Sequence, residues 1–202
     1  MGFPAERCGA VILAGGRSSR MGACKALLTM QGETMLARLT RQLEPFGERL
    51  LSANDPALAK GLPVRRIPDR YSGMGPAGGL HAALSAAEAE ALFCVPCDMP
   101  NFEPALIPLL LGRFSADMDA IICCDGNGRL HPLCGIYSKR ALPVLEQCLR
   151  KNICRIRSIL PLLRWEPFYT AAFLPDSVFF NMNTPEDFLQ AAKSASQSKT
   201  VG

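Results

Sequence analysis

Short apolar runs, most of them bounded by Gly, Pro or Asp, recur along the chain and predict strands buried on both faces of a parallel sheet. The first run, Gly9 to Ala14, stops at two glycines and predicts the opening strand. Further strands are predicted at residues 49–53, 64–68, 91–95, 120–124, 133–138 and 178–181.

Apolar residues at helical spacing lie between these runs. Met35, Leu36, Leu39 and Leu43 recur on one helical face, and Thr34 before them is a suitable N-cap. Further helices are predicted from about 79 to 87 and at residues 104–114, 140–150, 153–163 and 185–193, with Pro161 interrupting the fourth of these.

This alternation of strands and helices predicts an α/β fold. We expect a single three-layer, Rossmann-like domain over residues 1–193, with a mostly parallel sheet and helices on both faces. Sheets of this kind bind ligands at the carboxyl ends of their strands. Residues 194–202 are rich in Ser and lack apolar periodicity, so we expect them to form a disordered tail.

The composition of the 202 residues excludes a disordered or fibrous protein, because 49% are hydrophobic and only 20% are charged. Twenty-two Lys and Arg against 18 Asp and Glu leave a net charge of +4, which suits small anionic substrates better than a nucleic acid. The nine cysteines are odd in number and several lie in apolar runs, which favours reduced, buried thiols. Without a signal-peptide or membrane-helix pattern, we expect a cytoplasmic protein with no membrane partner.

The loop after the first strand combines glycines, hydroxyl side chains and cations. Its sequence is Leu13-Ala14-Gly15-Gly16-Arg17-Ser18-Ser19-Arg20-Met21-Gly22, with Lys25 shortly after. Glycines allow a ligand to approach the backbone, and the cations suit a polyphosphate. Neither the Walker A spacing nor the dinucleotide fingerprint is present. A glycine turn with solvated arginines is the alternative interpretation.

The loop resembles the opening of the nucleoside-triphosphate transferase family, which includes the guanylyl- and cytidylyltransferases of the molybdenum cofactor and sugar-phosphate nucleotidyltransferases. Four later blocks match the family in the same order. They are Asp69 to Leu80 with Gly75-Pro76, Cys97-Asp98-Met99-Pro100, His131-Pro132-Leu133, and Asn181-Met182-Asn183-Thr184-Pro185-Glu186. The blocks favour the guanylyltransferases, because cytidylyl relatives usually carry a second Ala in the opening and a Ser-rich segment in place of the Gly-Pro block.

The resemblance implies an Mg²⁺-dependent enzyme that transfers GMP from GTP to the phosphate of molybdenum-molybdopterin and releases pyrophosphate. It assigns catalysis to Lys25, Arg20 and Asp98, with Asp98 also holding the metal. Nucleotide contacts are expected from Leu13, Ala14, Gly15, Gly16, Lys25, Asn54, Asp69, Gly75 and Asp98, and pterin contacts from His131, Asn181 and Asn183. Molybdoenzymes or cofactor-delivery proteins are the further partners that it suggests.

The chemistry of these residues supports the roles but leaves alternatives open. Asp98 follows a buried strand and offers the carboxylate that Mg²⁺ prefers, or it caps a helix or turn. Asp69 either accepts hydrogen bonds from guanine or anchors its own loop. His131 either lines the second-substrate pocket or faces solvent at the start of a strand. Asn183 either contacts substrate or caps the last helix, a position that Thr184 before Pro185 also suits.

The chain departs from the family pattern at two positions. Cys24 precedes Lys25 where relatives often have an acid, and the loop is shorter by one residue. Ser52 replaces an Asn before Ala53 and Asn54. Two other functions stay open, which are cytidylyl transfer to the same cofactor and a non-catalytic chaperone that binds nucleotide and cofactor. The presence of both Lys25 and Asp98 argues against the chaperone.

Overall fold

A seven-stranded sheet forms the centre of the molecule, and a two-stranded hairpin lies beside it. The computed structural model describes residues 2–14, 25–189 and 191. The strands are β1 (Cys8–Leu13), β2 (Thr29–Met30), β3 (Glu33–Thr34), β4 (Arg49–Ser52), β5 (Arg65–Ile67), β6 (Ala91–Pro96), β7 (Ala120–Cys124), β8 (Leu130–Ser138) and β9 (Trp165–Tyr169). The helices are α1 (Met35–Gln42), α2 (Gly75–Ala86), α3 (Leu106–Arg113), α4 (Leu142–Arg150) and α5 (Ile156–Ile159).

The strand order of the large sheet is β5-β4-β1-β6-β8-β7-β9. Strand β8 runs antiparallel to β6 and β7, and the other described pairings in this sheet are parallel. The chain passes from β1 to β4 and β5 on one side and then crosses to β6 on the other. The direction of winding therefore reverses beside β1, and such a reversal opens a crevice at the carboxyl ends of the strands.

Helices cover both faces of the sheet, as the sequence predicts. On β1, Ala10 and Ile12 pack into one core with α1 and α3, whereas Val11 and Leu13 pack into the other with α2, α4 and α5. Successive residues of a strand point to opposite faces, so a strand covered on both sides must be apolar throughout. The predicted three-layer α/β fold is confirmed.

The hairpin β2–β3 leads directly into α1. Its turn contains Gln31 and Gly32, both with positive φ, which is the backbone conformation that two-residue hairpin turns require. Thr34 then caps α1, because its hydroxyl accepts a hydrogen bond from the Ala37 N–H at 3.2 Å. The sequence indicated the cap and the helix but not the hairpin.

The strand predicted at residues 178–181 is wrong. After Pro175 the chain forms a 3₁₀ helix, Asp176–Phe179, in which Val178 and Phe179 are buried in the core. The apolar run therefore reflects burial rather than strand pairing. In the large sheet, the strand that the sequence did not indicate is β9, which contains Pro167 and is half-exposed at the edge of the sheet. An edge strand tolerates a proline because one side of it forms no ladder hydrogen bonds.

Two helices differ most in extent from the prediction, and the last helix agrees with it. Helix α2 begins at Gly75 rather than after the Gly-rich loop, with Pro76 in its first turn, a position that does not need a backbone N–H. The helix predicted at 153–163 is shorter, because α5 gives way to a 3₁₀ helix, Leu160–Leu162, at Pro161. At the end of the described chain, residues 185–189 and 191 are helical, in agreement with the last predicted helix.

The eight cysteines within the described residues are all free, and seven of them are buried. This agrees with the predicted reduced thiols. Cys24 and the predicted tail, residues 194–202, lie outside the described residues. Within the described residues, the structure contains no helix with the length and apolar character needed to cross a membrane.

Candidate functional site

The carboxyl ends of four strands form one continuous edge. Backbone hydrogen bonds connect them, from Ala14 N to Ser52 O at 3.0 Å, from Ala53 N to Ile67 O at 3.1 Å and from Cys97 N to Leu13 O at 3.0 Å. The residues that follow these strands, among them Asn54, Asp69 and Asp98, therefore lie along the crevice beside β1. Parallel strands bring together residues that are far apart in the sequence at this edge.

Asp69 is the centre of a hydrogen-bonded group at the ends of β4 and β5. Its Oδ1 accepts from Ser52 Oγ at 3.4 Å, and its Oδ2 accepts from Asn54 Nδ2 at 3.1 Å. In return, the Asp69 N–H donates to Asn54 Oδ1 at 2.9 Å. Asp69 thus anchors its loop, as the alternative interpretation expected, while each carboxylate oxygen retains a lone pair for a ligand. Ser52 takes part in this group although it departs from the family pattern.

The Gly-Pro block packs tightly on this group through Gly79. A Cβ atom at Gly79 would lie 2.3 Å from Ser52 Oγ and 3.5 Å from Asp69 Oδ1, so a larger residue would displace the hydroxyl. Gly75 has open space around it but a φ of +55°, which favours glycine for backbone reasons. The two glycines therefore serve different purposes, one for close packing and one for the turn into α2.

Asp98 lies at the end of β6, half-buried, beside a separate cavity. Its carbonyl oxygen accepts a hydrogen bond from Met182 N at 2.9 Å, which holds the Asn-Met-Asn segment against the end of β6. The cavity, here called the His131 cavity, has a volume of about 210 Å³, and its lining includes Asp98, Arg129, His131, Arg157 and Asn181. The fold thus brings three of the predicted residues, Asp98, His131 and Asn181, together in one cavity.

His131 is held by contacts on two sides. Its Nε2 lies 2.8 Å from Asp125 Oδ2, and its ring stacks on Phe179 with centroids 4.1 Å apart and planes 11° apart. Only 9% of the His131 side chain is exposed, so it does not face open solvent. Burial lowers the pKa of His131, and the Asp125 carboxylate opposes this effect in part.

The Asp125 carboxylate accepts three hydrogen bonds, from Asn127 N, Arg129 N and His131 Nε2. Burial tends to raise its pKa, but the hydrogen bonds from His131 and from the backbone N–H groups of Arg129 and Asn127 outweigh burial and lower the pKa. Its carboxylate is therefore ionised at neutral pH.

Two arginines stand at the rim of the His131 cavity. Arg129 ends the hairpin loop before β8, and Arg157 lies on α5 and donates to the Leu130 carbonyl at 2.7 Å. Both side chains are exposed, which leaves their charge available to an anion.

The sequence reasoning missed Asp125, Phe179 and both rim arginines. A signal was present for two of these residues. Asp125-Gly126-Asn127-Gly128 is a typical hairpin turn, and Arg157 belongs to a basic stretch without acids, residues 150–157.

Of the two residues that the sequence offers as the cap of the last helix, Thr184 is the cap and Asn183 is not. Thr184 Oγ1 accepts from Asp187 N at 3.2 Å, and Asp187 Oδ2 accepts from the N–H groups of Thr184 at 2.8 Å and Asn183 at 2.7 Å. This reciprocal arrangement is a capping box in which Thr184 is the N-cap. Asn183 is not among the residues that line the His131 cavity.

The donors near Asp98 suit Mg²⁺ only if a ligand supplies most of the coordination. Within the described residues there is no group of three or more His, Cys, Asp or Glu that could hold a metal. Asn181 Oδ1 is buried and has no hydrogen-bond partner among these residues, so an amide oxygen accompanies the Asp98 carboxylate. Mg²⁺ commonly takes one or two carboxylates together with waters and phosphate oxygens, and these donors fit that pattern.

Part of the predicted phosphate loop is not described. Leu13 ends β1 and Ala14 follows it, whereas Gly15, Gly16 and Arg20 lie outside the described residues. Lys25 begins a 3₁₀ helix, Lys25–Leu27, and its side chain is likewise outside them. The predicted roles of these residues stay predictions.

The strand order and the crevice beside β1 define a doubly wound α/β protein. The chain belongs to the MobA-like NTP transferase domain family, whose model matches residues 10–166. It is 37% identical over 195 residues to a relative from Pelotomaculum thermopropionicum described as "probable molybdenum cofactor guanylyltransferase", covering 94% of each chain. It is 32% identical to the molybdenum cofactor guanylyltransferase of Vibrio parahaemolyticus, covering 89% of this chain and 92% of that one.

The fold also agrees with that of a solved structure. Molybdopterin-guanine dinucleotide biosynthesis protein A from Archaeoglobus fulgidus superposes with a TM-score of 0.81 at 25% identity, covering 94% of this chain and 99% of that chain. The similarity extends over nearly the whole of both chains, so both sequence and structure support the family assignment.

Proposed function

We propose that this protein is an Mg²⁺-dependent guanylyltransferase that transfers GMP from GTP to the phosphate of molybdenum-molybdopterin and releases pyrophosphate. Relatives described as molybdenum cofactor guanylyltransferases match about nine-tenths of the chain or more. The observation that carries the proposal is the position of Asp98, which lies on the crevice at the strand ends and also lines the His131 cavity. A group-transfer reaction between two anions requires such a shared boundary.

The nucleotide would occupy the crevice side. The loop from Leu13 through Gly15 and Gly16 would bring its backbone to the phosphates, with Arg20 and Lys25 supplying positive charge. Asp69 and Asn54 form a polar surface at the ends of β4 and β5 where a guanine could be recognised by hydrogen bonds. Gly75 and Gly79 allow α2 to start close to this surface.

The second substrate would occupy the His131 cavity. Arg129 and Arg157 at its rim suit the anionic groups of molybdenum-molybdopterin, while His131 and Asn181 offer polar contacts deeper in the cavity. Asn183 would contribute from the segment held against β6.

The reaction makes few demands on a general base, because a phosphate monoester is already largely ionised at neutral pH. Its main requirement is that charge on the triphosphate be neutralised while the two substrates are held in line. Mg²⁺, when bound, supplies much of that neutralisation. Asp98 would hold it, with Asn181 nearby, and Lys25 and Arg20 would stabilise the charge on the leaving pyrophosphate.

The decisive experiment measures pyrophosphate release with GTP, CTP, ATP and UTP, each in the presence and absence of molybdenum-molybdopterin and of Mg²⁺. We expect release with GTP only, and only when the pterin and Mg²⁺ are both present. A preference for CTP would identify a cytidylyltransferase instead. Tight binding of nucleotide and pterin without any release would identify a cofactor chaperone. Molybdoenzymes or cofactor-delivery proteins would receive the product.

A further inference from the structure

The pair Asp125 and His131 has a geometry that fixes which ring nitrogen of the histidine carries a proton. Asp125 Oδ1 accepts from the backbone N–H groups of Asn127 at 3.0 Å and Arg129 at 2.9 Å, so the carboxylate cannot rotate freely. Its Oδ2 is thereby directed at His131 Nε2, 2.8 Å away. An ionised carboxylate only accepts hydrogen bonds, so Nε2 must be the donor.

The orientation of the ring is fixed as well. Phe179 stacks on His131 with an interplanar angle of 11°. Phe179 belongs to the 3₁₀ helix Asp176–Phe179, and Asp176 ties that helix to the hairpin loop, because its carboxylate accepts from Gly126 N at 2.8 Å and from Asn127 Nδ2 at 3.0 Å. Stacking on Phe179 therefore fixes the plane of the His131 ring. The hydrogen bond to Asp125 fixes the direction in which Nε2 points within that plane.

We propose that Asp125 is a positioning residue that holds neutral His131 as the Nε2–H tautomer, so that Nδ1 acts as a hydrogen-bond acceptor for an N–H group of the second substrate. Because Nε2 is engaged by Asp125, contact with a ligand in the His131 cavity falls to Nδ1. An acceptor at this point selects a heterocycle with N–H donors, such as a pterin, rather than a phosphate oxygen. The part of this inference that concerns the ligand rests on the proposed function.

The charged and the uncharged side chains of the His131 cavity lie at different depths, which supports this assignment. The exposed guanidinium groups of Arg129 and Arg157 stand at the rim, where they suit the anionic part of the ligand. His131 is buried against an aromatic ring, an environment that favours the uncharged imidazole. The structure therefore separates charge recognition at the rim from recognition of the ring system inside.

The tautomer can be measured without any ligand. The chain contains only two histidines, His81 and His131, so the ring nitrogen-15 signals of labelled protein are assigned by comparison with a His131→Gln variant. At about pH 8 an imidazole is neutral, and the chemical shifts distinguish the protonated nitrogen from the unprotonated one. We expect His131 to carry its proton on Nε2. A proton on Nδ1 in the unmodified protein would overturn the proposal.

Asp125→Asn provides a sharper test, because the two backbone N–H groups still require an oxygen at Oδ1. The amide nitrogen then faces His131 Nε2 as a donor, which forces the proton to Nδ1. We expect the tautomer to reverse and the KM for molybdenum-molybdopterin to rise roughly fivefold to tenfold, the effect of one hydrogen bond, with little change in kcat or in the KM for GTP. An unchanged KM for the pterin would refute the positioning role.

Asp176→Asn is the matched control, since it replaces a carboxylate of the 3₁₀ helix that accepts hydrogen bonds from the same hairpin loop, at Gly126 and Asn127 rather than at His131. We expect this variant to keep the tautomer and the KM. An equal rise in KM in both variants would mean that loop order, rather than the tautomer, is responsible, and would overturn the inference. If the unmodified enzyme released no pyrophosphate with GTP, the proposed function would fail, while the tautomer measurement would remain valid for the pair itself.

Titration of the labelled protein with anaerobic molybdopterin, and separately with inorganic phosphate, distinguishes the two kinds of recognition. We expect molybdopterin to shift the Nδ1 signal while the ring stays neutral, and phosphate to leave that signal unchanged. Protonation of His131 on binding either compound would contradict an acceptor role for Nδ1.

Discussion

Asp98 is the residue at which the crevice and the His131 cavity meet. We expect Asp98→Asn to reduce pyrophosphate release by several orders of magnitude while the protein remains folded, because the substitution removes the negative charge that would hold Mg²⁺. Glu103→Gln is the control, since Glu103 is an exposed carboxylate close by in the sequence. Thermal unfolding of both variants checks the fold. An active Asp98→Asn protein would exclude this metal site.

Lys25 is the residue to which the sequence assigns a phosphate contact. We expect Lys25→Ala to weaken GTP binding, measured by calorimetry in Mg²⁺, because a charge-assisted hydrogen bond contributes about 1.5–3 kcal/mol, which corresponds to roughly 10- to 150-fold in affinity. Arg17→Ala should have a smaller effect. If Arg17→Ala had the larger effect, the register of the loop, which is shorter than in relatives, would need to be reassigned.

At the scale of the element, the packing of α2 against the end of β4 depends on the absence of a side chain at Gly79. Gly79→Ala would press a methyl group against Ser52, which is buried, and would turn its hydroxyl away from Asp69. We expect a loss of about 1–3 kcal/mol in the free energy of unfolding, the usual cost of overpacking, together with weaker GTP binding. Denaturant unfolding and calorimetry measure the two effects.

Two variants test the cause of that loss. Gly112 lies in α3 with no atom near an added Cβ, so Gly112→Ala should stabilise the protein by about 0.5–1 kcal/mol through its helix propensity. Ser52→Ala removes the hydroxyl that Gly79→Ala would meet. The double variant Ser52→Ala, Gly79→Ala should therefore recover part of the stability. If it were as unstable as the sum of the single variants, contact with Ser52 would not be the cause.

Two segments of the chain show that an apolar run alone does not distinguish a strand from a helical turn. Residues 178–181 and β9 are both rich in apolar residues, yet Val178 and Phe179 of the first segment belong to a 3₁₀ helix and the second segment joins the sheet. A run of apolar residues indicates burial, and burial is satisfied equally by a helical turn. The segment that pairs with β7 is the one that the rest of the fold brings beside this strand, and here it is β9.

At the scale of the whole molecule, stability depends on pH through the buried histidine of α2. His81 is only 2% exposed, its ring meets Tyr71 edge-on at 5.2 Å, and its Nδ1 has no hydrogen-bond partner within the described chain. Burial lowers the pKa of His81, and Arg70 lowers it further, whereas Glu146 opposes both in part. The unfolded chain therefore binds this proton more readily than the folded protein does.

We expect the free energy of unfolding to fall as the pH drops below about 6.5, the ordinary histidine pKa, by at most ~1.4 kcal/mol per pH unit from His81. The loss should continue until the pH reaches the lowered pKa of the folded state. Urea unfolding at pH values on both sides of this range, in the unmodified protein and in His81→Leu, isolates the effect because His131 is common to both. Equal pH dependence in the two proteins would contradict the assignment.

The sequence by itself determined the three-layer α/β fold and most of its strands and helices, because continuous apolar runs and helical periodicity are local records of which faces are buried. It also determined the family blocks and therefore which residues lie at the strand ends. All four of Asp69, Asp98, His131 and Asn181 could be named from the family blocks. Asp69 and Asp98 also follow predicted strands, and His131 precedes one, whereas the strand predicted at Asn181 is absent from the structure.

Only the tertiary structure decided which of these residues meet. The antiparallel insertion of β8 beside β6 brings His131 to the cavity that Asp98 lines, and the 3₁₀ helix at 176–179 delivers Phe179 to the ring of His131. Only the structure shows that Asp125 is the hydrogen-bond partner of His131, because one of its carboxylate oxygens accepts from the backbone and the other faces the imidazole. The physical reason is that hydrogen-bond partners and stacking depend on positions in space across the sheet, whereas periodicity along the chain reports only burial.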